Sequence, residues 1–172
     1  RINFVGGTVD FSPIKNGACV LDESVSDICS IDIFDTDKII FIENKTNYLA
    51  MEYDPEILYI YSHGYFSPLE REFLKKLQRV IEGKDVEVFH SGDMDYGGIR
   101  IFEYIQKHIF PGIKPLQMDV ETYEKYEEYA KTISKETMEK LEKVNVPLLE
   151  ELKEKLLETG KGIEQESFLI EE

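Results

Sequence analysis

Basic side chains are the scarce class in this chain. Twenty lysines and arginines stand against 35 aspartates and glutamates, a formal net charge of −15, and a field of that sign argues against long-range attraction to nucleic acid. The deficit is uneven, because from Asp119 onward there are 16 acidic and 8 basic residues, so about half of the excess lies in the C-terminal third. Cysteine is nearly missing. Cys19 and Cys29 are too few for a disulfide framework, and without histidines beside them they make no zinc site. A reduced, cytoplasmic setting is the default expectation. No apolar run reaches the length of a membrane span, no signal-peptide pattern opens the chain, and there is neither an internal repeat nor a low-complexity linker. The chain also lacks an initiating methionine: it opens on Arg1-Ile2-Asn3-Phe4-Val5, from which we expect the C-terminal part of a longer protein.

What is present suits one domain. A length of 172 residues and 42% hydrophobic content allow a sizeable core. Residues 1–37 carry short apolar alternations broken by Gly6-Gly7, Ser12-Pro13, Asn16-Gly17 and Asp22-Glu23, which predict a β-hairpin region with Asn16-Gly17 as its strongest turn signal. After Asp37 the pattern changes. Lys38 to Ile42 is a continuous apolar run of the kind buried on both faces of a parallel sheet, and similar runs follow at Ile57 to Tyr61, Val86 to His90 and Ile113 to Met118. Between them lie helical stretches: Asn44 to Met51, a longer one opened by the capping box Ser67-Pro68-Leu69-Glu70 and ending near Gly83, and Gly98 to Phe110 before Pro111-Gly112. Strands alternating with helices predict βαβ units and an α/β fold, with a mostly parallel four-stranded sheet over residues 38–118 and helices on both of its faces. From Val120 to Thr159 the pattern is helical, with breaks near Ser134 and Asn145-Val146-Pro147 and a stop at Gly160; residues 119–172 read as an extension completing the same domain.

One stretch concentrates the chemistry. Ser91-Gly92-Asp93-Met94-Asp95-Tyr96-Gly97-Gly98 sets two carboxylates one residue apart where a strand should end, which is where open α/β sheets bind ligands. Such a turn can aim two hard oxygen ligands at one divalent cation. Glu43 closes the first strand of the parallel set, so three acids could converge on one sheet edge. Their mutual repulsion would raise their pKa values unless a cation neutralised it.

A glutamate ending one strand and an Asp-x-Asp ending a later one resembles the Rossmann-like Toprim domain of topoisomerases, primases and related nucleases. Within that superfamily, His90 to Ile99 is similar to the Gly-Asp-x-Asp-x-x-Gly signature shared by topoisomerase VI A subunits and the C-terminal domains of JetD nucleases of Wadjet anti-plasmid systems. Glu43-Asn44, Ser62-His63-Gly64 before a capping Ser-Pro, and the late Glu164-Gln165-Glu166 look more like the latter group. The resemblance implies metal-dependent DNA cleavage, with Glu43, Asp93 and Asp95 holding Mg²⁺ or Mn²⁺, Glu164 and Glu166 adding a ligand or base, and water as the nucleophile. It further implies double-stranded DNA and SMC-like subunits as partners, leaves a homodimer open, and involves no membrane.

Blander accounts stand beside these. Asp93 and Asp95 could be an Asx pair capping the next helix, Glu164 and Glu166 a solvated charge run, and Tyr96 a turn residue rather than a nucleophile. Arg71, Lys75 and Arg79 recur every four residues beside Lys76 as a basic stripe that could follow a phosphate backbone, and Lys45 could meet a phosphate. A lone His90 inside a buried strand reads as a hydrogen-bonded core histidine. Two other functions compete: a haloacid-dehalogenase-like phosphatase, since Ile31-Asp32-Ile33-Phe34-Asp35-Thr36-Asp37 resembles a strand ending in Asp-x-Asp with Asp35 as the nucleophile, and an acidic docking domain for a partner subunit.

Overall fold

The computed structural model describes residues 1–15 and 17–170, so Asn16, and with it the turn expected at Asn16-Gly17, lies outside the described residues. At the N-terminus β1 (Ile2–Phe4) and β2 (Gly7–Val9) form a hairpin turning at Val5 and Gly6, and β3 (Ile28–Ile31) pairs with the other side of β1, giving a small antiparallel sheet of order β2-β1-β3. The expected β-rich segment is there, and its first hairpin turns at the expected Gly6-Gly7 break.

The next stretch builds the sheet that carries the site. Along the chain come β4 (Lys38–Ile42), α1 (Lys45–Ala50), β5 (Ile57–Tyr61), α2 (Pro68–Ile81), β6 (Glu87–Ser91), α3 (Tyr96–His108) and β7 (Lys114–Pro115). The four strands are ordered β5-β4-β6-β7, and every pair is parallel. Ile39 to Ile42 are all buried, as a central strand covered on both faces requires. Right-handed crossovers put α1 on one face and α2 with α3 on the other. On that second face Phe41 meets Phe66 and Phe110, and His90 meets Phe102 of α3. This is the α/β architecture expected from the alternation of runs.

Local chemistry fixes where the helices start. Ser67 Oγ accepts from the Glu70 amide at 3.2 Å while the Glu70 carboxylate accepts from the Ser67 amide at 2.6 Å, a complete capping box with Pro68 in the first turn. Leu74, Leu77 and Ile81 form the buried stripe of α2. At α3 the Asp95 carboxylate caps the helix by accepting from the Gly98 amide at 2.9 Å. A Cβ on Gly98 would lie 2.0 Å from the Asp93 carbonyl oxygen, so only glycine lets the helix begin this close to the acidic turn.

Two expectations need correcting. The fourth strand is much shorter than Ile113 to Met118: only Lys114 and Pro115 pair with β6, the Leu116 amide makes one more bond to the His90 carbonyl at 2.8 Å, and Gln117 with a φ of 58° then breaks the extended backbone. The C-terminal third is not purely helical either. Alongside α4 (Val120–Lys125), α5 (Lys135–Leu141) and α6 (Glu150–Thr159) it contains β8 (Lys131–Thr132), which pairs antiparallel with β9 (Lys161–Gly162). A two-residue strand whose partner lies thirty positions away leaves no periodicity to read. The α6 stop is as expected, with Gly160 in the left-handed conformation.

That small ribbon delivers the chain end to the edge of the main sheet. Met94 and Ile163 exchange both backbone hydrogen bonds, at 2.8 and 3.0 Å. Two residues on, the buried Gln165 ties the segment down. Its amide donates to Asp93 Oδ1 at 2.8 Å, its Nε2 donates to Ser91 Oγ at 2.7 Å, its Oε1 accepts from the Asn44 amide at 2.9 Å, and its carbonyl accepts from Asn47 Nδ2 at 2.8 Å. One residue therefore bridges the ends of β4 and β6 to the start of α1. Gln165→Ala keeps the two backbone bonds, strands the Asn44 amide and leaves Ser91 Oγ only its 3.4 Å bond to Gln117; we expect a lower urea midpoint, with a loss of roughly 1–3 kcal/mol for the amide left unmet. A midpoint equal to wild type would show that the clamp contributes nothing to stability.

Candidate functional site

Because β4 and β6 are direct neighbours, with Ile42 opposite Ser91, the residues that follow them meet at the carboxyl edge of the sheet. Glu43 donates its amide to the Ser91 carbonyl at 3.1 Å, and its Oε2 lies 3.4 Å from the Asp93 amide. Asp93 Oδ1 is taken by Gln165 and Asp95 Oδ1 by Gly98. Asp95 is thus a helix cap, as the bland reading had it, but only with one oxygen. Glu43 Oε1, Asp93 Oδ2 and Asp95 Oδ2 make no hydrogen bond among the described residues. The turn brings together all three acids singled out in the sequence.

Their electrostatics are those of a compressed anion cluster. Burial, reinforced by the charges of Asp93 and then Asp95, pushes the Glu43 carboxyl up to about 7, against the opposing pull of the Asp93 amide. Burial likewise raises Asp93; the Gln165 amide opposes the shift, while Asp95, Glu164 and Glu166 add to it. Glu164 and Glu166 therefore act on the cluster through their charge. Glu164 itself is half-exposed and paired with Lys131 at 2.9 Å. Among the described residues no three acidic, histidine or cysteine side chains already close on a common centre. The cluster is gathered but open. Its donor set, carboxylate oxygens with one free oxygen each, fits a hard divalent cation such as Mg²⁺ or Mn²⁺.

Beneath the acids the same sheet face holds two unusual groups. His90 is fully buried, and burial pushes its pKa down to about 3, so the ring is neutral. Neither ring nitrogen has a hydrogen-bond partner, which corrects the expectation of a bonded core histidine. Ser62, aligned with Glu43 by the register of β4 and β5, is also fully buried with its Oγ unpartnered. A Cβ on Gly92 would fall 2.4 Å from Glu43 Oε2 and 2.8 Å from His90 Nε2, so glycine leaves open the gap these two atoms share.

The basic candidates are scattered by comparison. Arg71 is half-buried and donates to the Tyr104 hydroxyl at 2.9 Å, and Lys76 pins the carbonyls of Val25 and Ile28, both at 3.0 Å. Lys75 and Arg79 are exposed farther along α2, which runs from the carboxyl edge of the sheet toward its amino edge. Lys45 is exposed at the start of α1, one residue past Asn44. Asp35 lies three residues before β4, at the opposite edge of the sheet from Glu43, so the two Asp-x-Asp-like segments do not share a site. A cleft of about 650 Å³ between the N-terminal segment and β5, lined by Phe11, Val20, Ile31 and Leu58, is also remote from the acids. Gln165, between the two glutamates singled out in the sequence, and Lys131, which pairs with Glu164, join the site without a local sequence signal of their own.

Comparison with known proteins identifies the family. The family model described as the C-terminal region of Wadjet protein JetD matches residues 14–172, a span that includes every acid named above. The Wadjet protein JetD of Bacillus cereus (strain Q1) is 34% identical over 166 residues, which cover 94% of this chain and 40% of that protein. The chain thus spans less than half the length of this curated relative. On both findings, it belongs to the family of JetD C-terminal regions.

Proposed function

We propose that this chain carries a divalent-cation-dependent, DNA-cleaving site of the Toprim type, acting in the cytoplasm in Wadjet plasmid defence beside SMC-like subunits. The observation that carries the reading is the convergence of Glu43, Asp93 and Asp95 at the carboxyl edge of two adjacent parallel strands, each with a carboxylate oxygen unspent. Mg²⁺ or Mn²⁺, when bound, would polarise the scissile phosphate and stabilise the attacking and leaving oxygens. The protein's own part is positioning. Gln165 fixes the rotamer of Asp93, the α3 cap fixes Asp95, and the β4–β6 register fixes Glu43 against both. Glu164 and Glu166 deepen the negative potential that attracts a cation, and Lys131 screens it from the solvent side. An open edge, rather than an enclosed cavity, suits a polymeric substrate. Lys45 and Arg71 lie near the starts of α1 and α2 at this edge, where they would meet phosphate, and Lys75 and Arg79 farther along α2 would extend the contact away from it.

In the full-length protein, Glu43→Ala or Asp93→Ala should lower Mn²⁺-dependent nicking of supercoiled plasmid by at least about 100-fold, with the circular dichroism spectrum unchanged. Cleavage at the wild-type rate by either variant would refute the assignment.

The raised carboxyls also make a prediction about pH. A carboxyl whose folded pKa lies above its unfolded value favours the folded state at low pH, and that contribution is lost as the group ionises. For Glu43 the loss runs from near 4.5 up through about 7. Without divalent cations, wild type should therefore lose roughly 2 kcal/mol across that window relative to Glu43→Gln. Added Mg²⁺ should raise the wild-type melting temperature more at pH 8 than at pH 5.5, and that of Glu43→Gln little at either pH. Equal Mg²⁺ shifts at both pH values in wild type would contradict binding by these carboxylates.

A further inference from the structure

Buried polar side chains almost always find a partner, and leaving one without is costly. His90 departs from this with both ring nitrogens, at a position where leucine or phenylalanine would pack against Phe102 without that cost. Its Nε2 is not lost in an apolar interior. It points to the gap over Gly92, which Glu43 Oε2 enters from the neighbouring strand. The ring is neutral and carries one N–H, so it can donate to a carboxylate without adding charge to the site.

We propose that His90 is a positioning residue for Glu43: its Nε2–H donates to Glu43 Oε2 across the gap above Gly92 and turns Oε1 outward to the cation. This rests on the metal-site reading given under Proposed function. It accounts together for a polar ring in the core, the glycine at position 92 and the oxygen that Glu43 leaves unbonded. Nothing in the cluster offers Oε2 a comparable donor, since the Asp93 amide approaches it only at 3.4 Å. A ligating side chain oriented by a hydrogen bond from behind is a general feature of metal sites, and removing such a support typically weakens metal binding by about 10–100-fold.

Calorimetric titration of Mg²⁺ into the intact chain, with His90→Leu and His90→Gln beside wild type, tests the inference. His90→Leu should weaken Mg²⁺ binding by about 10–100-fold, and His90→Gln, whose amide reaches the Nε2 position, should stay within about threefold of wild type. A second readout uses wild type alone. With ¹⁵N-labelled histidine, the Nε2 resonance should report the Nε2–H tautomer and shift on saturation with Mg²⁺. His90→Leu binding like wild type overturns the inference, as does equal weakening in both variants, which would mark a packing role. If His90→Leu fails to fold, an Nε2 resonance that ignores Mg²⁺ overturns it by itself. Wild type that binds no Mg²⁺ would overturn the metal-site reading and this inference with it, whereas wild type that binds beside an insensitive His90→Leu would overturn this inference alone.

Discussion

Gathering like charges at one edge of a sheet is unfavourable on its own, and much of this fold serves to withstand that repulsion. Glu43 and Asp93 are both held in a poorly solvated place that pushes their carboxyls toward protonation. They remain together because each is fixed by backbone that has little freedom to move: the β4–β6 register, the cap of α3, and the ribbon that lays Ile163 against Met94. Two carboxylates each give one oxygen to an amide, so the hydrogen bonds that fix geometry also remove part of the charge problem. The glycines belong to the same arrangement. Gly98 lets a helix start against the acidic turn, and Gly92 keeps space between the strand edge and the first acid.

Much of this was legible in the sequence, for definable reasons. The runs at Lys38 to Ile42 and Ile57 to Tyr61 are short, apolar and bounded by turn residues, and the strands match them residue for residue. The capping box at Ser67 is a local signal with a local cause and forms as written. The acids could be placed because strand ends are where a parallel sheet presents side chains to a ligand. What escaped notice depends on contacts between distant parts of the chain. Gln165 looks like one more polar residue in a charged tail until it meets Ser91 and Asn44. β8 and β9 are two residues each, too short for periodicity, and exist only because they find each other. The state of His90 is hidden for a related reason: burial follows from an apolar strand, but whether a partner reaches the ring depends on what the neighbouring strand carries.

The acidity of the chain takes on a different meaning once mapped. Charge close to the site, from Glu164 and Glu166, acts on Asp93 and raises its carboxyl. Charge farther out on α5 and α6 is partly met by local pairs, such as Glu136 with Lys140 and Glu150 with Lys153. A net charge of −15 is therefore a poor guide to what a phosphate approaching the sheet edge would meet. The basic residues are few, but several lie on α1 and α2, which begin on the same side as the acids.

The clamp at Gln165 also sets an order of events. Its partners Asn44 and Asn47 lie 121 and 118 positions earlier in the chain, so the core of the sheet can fold from local βαβ units while its working edge stays incomplete. During synthesis the three acids are made well before the residue that organises them. A growing polypeptide thus passes through a stage at which the scaffold stands and the carboxylates are only loosely placed. Of the three acids, Asp93 is the one whose hydrogen bond waits for residues 161–166 to reach the sheet edge.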